Sequence, residues 1–292
     1  YFLPDPWTKT DSDDSVWSKI IAGVFSQTVN DNSTKKIGFI NYAKLLIIFI
    51  KFFRFKNFSK YFYYFVTSKK YYFRKAFFLD LLIHDIHYNL FNKKKADFSS
   101  VFFNGGAHIQ HHYFFNSKFY KSKNQNPDWY MKKDIDPIYE SYLLYEHILE
   151  DYLKLNCDLI ISTGLSQIPA GETKFYYRLK KHKFFFNKFD IKYKNIYPRM
   201  TRDFLIEFEN KKDLKDCIYF FEKINSSNKA EKIFDYDIRE LSLFVTLSYS
   251  QELKKNYFLE YAGKKIDLFS HIVFVAIKNG IHHHEGYNFF SK

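Results

Sequence analysis

The chain is short of cysteine, arginine, glycine, proline and alanine, and each shortage narrows what it can be. Its 292 residues hold 2 Cys, 9 Gly and 6 Pro. Two cysteines, Cys157 and Cys217, exclude a disulfide scaffold and a multi-cysteine zinc or iron–sulfur site. They are compatible with a reducing, cytoplasmic compartment. No repeat is visible, and no low-complexity segment beyond a general Lys/Phe bias. Long hydrophobic runs are also missing. The most apolar segment is Leu45–Ile50, LLIIFI, far below the ~18–20 residues that cross a bilayer; a membrane-spanning protein is not expected. Nor does a basic start lead into an apolar stretch and a small-residue cleavage site, as in a signal peptide. Lysines alternate with aromatics around Ile37–Val66. That pattern suits an amphipathic surface helix, but a buried or groove-covering helix is the preferred reading.

What the chain has in plenty is aromatic and cationic. It carries 36 Phe and 25 Tyr, and 45 Lys+Arg against 32 Asp+Glu, for a formal charge of +13. Such a balance suggests nucleic acid, because cations neutralise phosphates and rings stack on bases. Only six of the cations are Arg, however, and Arg is the residue that forks onto phosphates and bases. Lys, Phe, Tyr, Asn and Ile all use AT-rich codons, so a solvated lysine surface is preferred over a nucleic-acid interface. The 46% hydrophobic content excludes wholesale disorder, and the length suits one large domain or two ordinary ones.

Along the chain, Asp11–Asp14 reads as a helix N-cap cluster ahead of a helix over Val16–Val29, with a polar break at Asp31–Lys36. Residues 37 to about 93 have mostly helical spacing, interrupted near Lys69–Lys70. Phe98–Phe103 is a strand-like run ending in Asn104-Gly105-Gly106, and Ala107–Tyr120 reads as helix or loop. Ile138–Leu155 is helical in period, Asp158–Ser162 a short buried strand, Phe204–Phe208 a strand and Lys211–Ile224 a helix. Leu241–Leu247 and His271–Ile277 complete the strands. The alternation predicts an α/β fold: a central, mostly parallel sheet covered by helices, in a single domain over 1–292 with a helical cap-like segment over 14–93. The opening YFLPDPW reads as a strand end entering a Pro-rich turn, so an N-terminal part is expected to precede Tyr1.

Three polar clusters fall where such a sheet would bind ligands: Asn104–His112 (NGGAHIQHH), Ser162–Gln167 (STGLSQ) and Lys278–Tyr287 (KNGIHHHEGY). Imidazole is the commonest metal ligand and the acid/base suited to neutral pH. His108, His111, His112, His282, His283 and His284 are therefore candidates, weighed against ordinary surface histidines. Where Lys is the default cation, Arg199, Arg202 and Arg239 suggest capture of an anionic group; structural Arg–Asp pairs, such as Arg202 with Asp203 or Asp237, are the alternative.

These motifs resemble the alkaline-phosphatase-like superfamily, which includes type I phosphodiesterases, nucleotide pyrophosphatases and sulfatases. The family has a strand ending in Asp-x-x-Gly-His; Phe102–His108 reads FFNGGAH, with Asn104 at the Asp place, Ala107 at the Gly place and His108 matching. Asn279–Tyr287, NGIHHHEGY, is similar to the late loop that carries another ligand His, with His282 or His284 at that place. The family's Ser-Asp-His-Gly is replaced by ISTGLS at Ile161–Ser166, which lacks both ligands. The resemblance implies a divergent hydrolase or transferase acting on a phosphate or sulfate ester, its nucleophile upstream of Tyr1. It implies at most one divalent metal (zinc, calcium or magnesium) at His108, His282, Asn104 and His284. His111, His112, Arg199, Arg202, Arg239 and Lys278 would bind substrate, an anionic small molecule or glycan. A non-catalytic module recognising an anionic ligand or glycan on the same fold is the alternative.

Overall fold

Short hairpins and long-range strand pairings together build the sheets of this protein. The computed structural model describes residues 2–4, 11–30, 38–94, 96–121, 123–199, 201–226 and 232–291. The helices are α1 (Val16–Asn30), α2 (Phe39–Phe52), α3 (Phe58–Thr67), α4 (Arg74–Lys94), α5 (Gly105–Tyr113), α6 (Pro137–Leu153), α7 (His182–Asn187), α8 (Lys211–Lys223) and α9 (Leu268–His271). The strands are β1 (Ile160–Ser162), β2 (Ser166–Leu179), β3 (Asn195–Pro198), β4 (Asp203–Glu207), β5 (Asn225–Ser226), β6 (Phe234–Arg239), β7 (Ser242–Leu247), β8 (Phe258–Tyr261), β9 (Lys264–Asp267), β10 (Ile272–His283) and β11 (Asn288–Phe290).

Helices and strands are both present, as an α/β composition requires, but the expected central parallel sheet is not what the described residues form. They form small sheets, ordered β3-β4-β7-β6 and β5-β8-β9, with pairs β1-β11 and β2-β10. Every pairing whose register is resolved is antiparallel. For β3–β4, β6–β7 and β8–β9 the physical reason lies in the connections. Residues 199–202, 240–241 and 262–263 join neighbouring strands, whereas a parallel pair needs a crossover of a dozen or more residues. The β8–β9 turn takes positive φ at Ala262 (47°) and Gly263 (74°), the twist that tight hairpins favour. Phe98–Phe103 is irregular rather than a strand, and β1 is largely exposed rather than buried. The polar break at Asp31–Lys36 and most of the opening YFLPDPW lie outside the described residues.

The chain forms two compact units. One comprises Tyr1–Lys44 and Lys174–Ala276; the other comprises Leu45–Thr173 and Ile277–Lys292. In the first, alternation in β4 and β7 turns Phe204, Ile206, Leu243, Val245 and Leu247 inward. Amphipathic α8 buries Leu214, Cys217, Phe220 and Phe221. Its start is fixed by Asn210, whose Oδ1 accepts from the amides of Lys212 and Asp213 at 2.9 and 3.0 Å. Burying each such Phe contributes roughly 1.5–3 kcal/mol.

In the second unit, α3, α5 and α6 pack on α4, which buries Phe77, Leu81 and Leu82 together with Asp80, His84 and Asp85. The buried charges are paired from facing helices. Asp80 Oδ2 accepts from the Tyr145 hydroxyl at 2.6 Å and the Gly105 amide at 3.0 Å. Asp85 accepts from Asn57, Tyr61 and the Arg54 amide. Asp151 on α6 receives Arg54 at 2.6 Å, Lys56, and His84 Nε2 at 3.0 Å. Desolvation pushes the Asp151 carboxyl up, but the hydrogen bonds from Lys56, His84 and Arg54 outweigh it and hold it below the ordinary range. Replacing Asp151 with Ala strands two cations and a histidine. A loss of about 3–5 kcal/mol of unfolding free energy is expected from urea denaturation, with Asp151→Asn losing less.

Candidate functional site

The three polar clusters singled out in the sequence meet inside the second unit. Cluster one forms α5, led by Asn104. Cluster three forms the end of β10 and the turn after it. Cluster two runs from β1 into β2. The Thr163 amide donates to the Tyr287 carbonyl at 2.9 Å and the Ser166 amide to the Glu285 carbonyl at 2.7 Å. Gln167 Nε2 donates to the Ala107 carbonyl at 3.0 Å, leaving its enclosed Oε1 with no partner among the described residues. Buried Asn279 ties β10 to the segment after α5: its Oδ1 accepts from the Phe114 amide at 2.8 Å and its Nδ2 donates to Asn126 at 2.7 Å.

This docking sets the histidines. His111 Nδ1 lies 3.2 Å from the Gly280 carbonyl oxygen, and His112 Nδ1 lies 2.5 Å from that of Ile277. A carbonyl only accepts, so each Nδ1 carries the proton. Desolvation pushes His112 down to about 3 and lowers His111 as well. Both rings are therefore neutral near pH 7, and each Nε2 keeps its lone pair. His108 stands against His112 with centroids 4.7 Å apart, and His282 against His111 at 4.6 Å. His108 keeps an exposed side, but the atoms crowded around its ring, and then the neighbouring His111, lower it too. The half-buried Lys278 adds positive charge that lowers both His111 and His112. Asn104 sits at the N-cap, its carbonyl accepting from the His108 amide at 3.0 Å and its side chain making no capping bond.

Of the predicted metal ligands, His108 and His282 thus join one imidazole cluster, and Asn104 lies one turn before His108. His284 instead stands against His283, centroids 4.4 Å apart. The predicted substrate residues His111 and His112 lie at the centre, beside Lys278. Among the described residues, no group of three or more His, Cys, Asp or Glu is arranged to hold a metal ion. The donors present are imidazoles, which suit zinc and similar transition ions; calcium and magnesium prefer oxygen.

The three arginines belong to the first unit and do not gather. Arg199 and Arg202 flank the β3–β4 turn. Arg239 lies at the far end of the same sheet, since Asp203 pairs with Thr246 while Glu207 and Arg239 both pair with Ser242. Arg239 Nε donates to Asp237 at 2.9 Å, the structural pair that the sequence left open, though with Arg239 in place of Arg202. Arg202 stacks on Tyr176 at 4.1 Å. Arg199 lines a cleft of about 340 Å³ with Arg178, Lys180, Lys181, Lys183 and a single carboxylate, Asp203. Asp203 already accepts from Thr246 at 2.6 Å. Arg178 is not among the candidate arginines of the sequence, although Arg is as scarce there as at Arg199.

No family model, curated protein or solved structure matches the chain.

Two outcomes follow from the α5–β10 contact. A Cβ at Gly280 would overlap the Gln110 carbonyl oxygen and press the Phe114 ring at 2.8 Å. Gly280→Ala is thus expected to part α5 from β10 and return the His112 titration, followed by NMR of the imidazole protons, toward the ordinary value near 6.5. In the native protein His112 and the buried His84, pushed down by desolvation to about 3 and about 4, stay neutral in acid while unfolded imidazoles take up protons. Their stabilising contribution is complete above pH ~6.5 and is lost as pH falls toward these lowered values. Thermal unfolding at a series of pH values should show the midpoint dropping across that window, and less steeply in His112→Gln.

Proposed function

We propose that the chain acts on a phosphate or sulfate ester at the α5–β10 imidazole cluster, as a divergent hydrolase or transferase of the alkaline-phosphatase-like kind. The observation that carries this reading is the convergence of two distant histidine runs, in the first of which His111 and His112 have their Nδ1 protons fixed on backbone carbonyls of β10. That arrangement leaves unprotonated Nε2 atoms, the form that accepts a proton or binds a cation at neutral pH. Lys278 beside them favours an anionic substrate. Two of these imidazoles, His111 and the adjoining His282, are the residues that would hold a zinc ion, which would polarise an ester oxygen when bound.

The test is turnover of para-nitrophenyl phosphate and sulfate, alongside equilibrium dialysis of the protein with zinc alone. Single His111→Ala and His282→Ala variants should lose about 100-fold or more in turnover, the scale of a lost acid–base group, and should bind zinc more weakly. Zinc binding unchanged in both variants, with no ester cleaved by the native protein, would overturn the reading.

A second reading, a non-catalytic module for an anionic ligand or glycan, is favoured by the cleft at Arg178 and Arg199. It holds five Lys/Arg against one carboxylate, and no carboxylate among the described residues is paired with Arg178. Sulfated oligosaccharide binding that survives His111→Ala but weakens about tenfold or more in Arg178→Gln, the loss of one charge-assisted bond, would select it.

A further inference from the structure

We infer that helices α2 and α3 dock the protein on an anionic lipid surface. The inward face of this helix pair is well packed. Phe49 meets Tyr61 edge-on with centroids 4.9 Å apart and stacks on Phe78 of α4 at 5.8 Å, while Ile48, Phe52, Tyr61 and Tyr64 are buried. An ordinary amphipathic helix turns polar residues outward. Here the outward residues are apolar as well. Leu46, Ile47 and Ile50 on α2, and Phe58, Phe62 and Phe65 on α3, are each 52–68% exposed. On α3 they recur at i, i+4 and i+7, one continuous stripe. Phe55, in the turn between the helices, is 83% exposed. Surfaces of this kind mark interaction sites rather than ordinary solvent faces.

Charge names the partner. Residues 45–79 contain eight Lys or Arg and no Asp or Glu. Arg54 and Lys56 are held on Asp151, and Arg74 on Glu140. Lys69, Lys70 and Lys75 are exposed and Lys60 is half-buried. Lys69 and Lys70 follow the end of α3. Aromatic and aliphatic side chains bordered by lysines at helix ends fit the boundary between acyl chains and anionic headgroups, where the stems stay in contact with apolar surface and the ammonium groups reach phosphate. Helices this short lie along a bilayer rather than through it, and none of the described helices is long and apolar enough to cross one.

Co-sedimentation with vesicles tests the inference. The full chain should bind phosphatidylcholine–phosphatidylglycerol vesicles, bind pure phosphatidylcholine vesicles far less, and be released by salt. Phe62→Asp and Phe65→Asp replace exposed side chains, so circular dichroism should be unchanged while partitioning falls about tenfold or more each. Lys69→Glu with Lys70→Glu should remove the preference for phosphatidylglycerol. Absence of vesicle binding by the native chain overturns the inference, as does binding that Phe62→Asp and Phe65→Asp leave unchanged. Self-association abolished by Phe62→Asp, with no vesicle binding, would assign the face to a second copy instead.

Discussion

The candidate site depends on the backbone of one strand. β10 presents the carbonyls of Ile277 and Gly280 to a helix whose His111 and His112 settle their Nδ1 protons on them. That geometry requires a close approach, which Gly280 permits by having no side chain. It also requires a fixed register, which Asn279 supplies through its bonds to Phe114 and Asn126. Three consecutive positions, Lys278, Asn279 and Gly280, thus carry charge, anchoring and clearance in turn. The chemistry available to His111 and His112 follows from a strand edge rather than from any neighbouring carboxylate, and this sets the cluster apart from an oxygen-rich metal cage.

The packing of the second unit's helices is organised differently, around buried charge. Arg54 and Lys56, on the link between α2 and α3, reach Asp151 on α6, while Arg54 also lies over the Tyr88 ring at 3.7 Å. His84 shares Asp151 through Nε2 and leaves Nδ1 enclosed with no partner among the described residues. Desolvation keeps that ring neutral near pH 7, which fits a donor to a carboxylate with no anion on its other side. Removing any one charge from such a set costs more than the pair contributes when intact.

The sequence exposed its local features and hid its long-range ones. The period over Ile138–Leu155 marked α6, alternation marked β4 and β7, and the three polar clusters marked residues that meet in space. Their meeting rests on contacts from 60 to 169 residues apart, which no spacing encodes. Strand direction was misread because runs such as Leu241–Leu247 look alike in either sense, and the β6–β7 turn uses Glu240 at φ 53° instead of an Asn-Gly signal. β2 was missed because Pro169 and Gly171 interrupt it, although it continues for 14 residues. Arginine scarcity drew attention to Arg199, Arg202 and Arg239, yet the same argument applied to Arg54, Arg74 and Arg178. In a stretch without acids, Arg54 and Arg74 had to find their carboxylates elsewhere in the chain.

The division of the chain into discontinuous units has a consequence for folding. The unit that holds the imidazole cluster is complete through Thr173 except for Ile277–Lys292, and the other unit's larger segment intervenes between them. During synthesis the helices α3 to α6 have their partners early, but His111 and His112 gain theirs only when β10 arrives. Closing so long a loop is entropically costly and slow. Until then α5 carries imidazoles with no carbonyl to fix them, and β1 lacks β11. Assembly of the site thus waits on the return of Ile277–Lys292 to the unit begun by Leu45–Thr173.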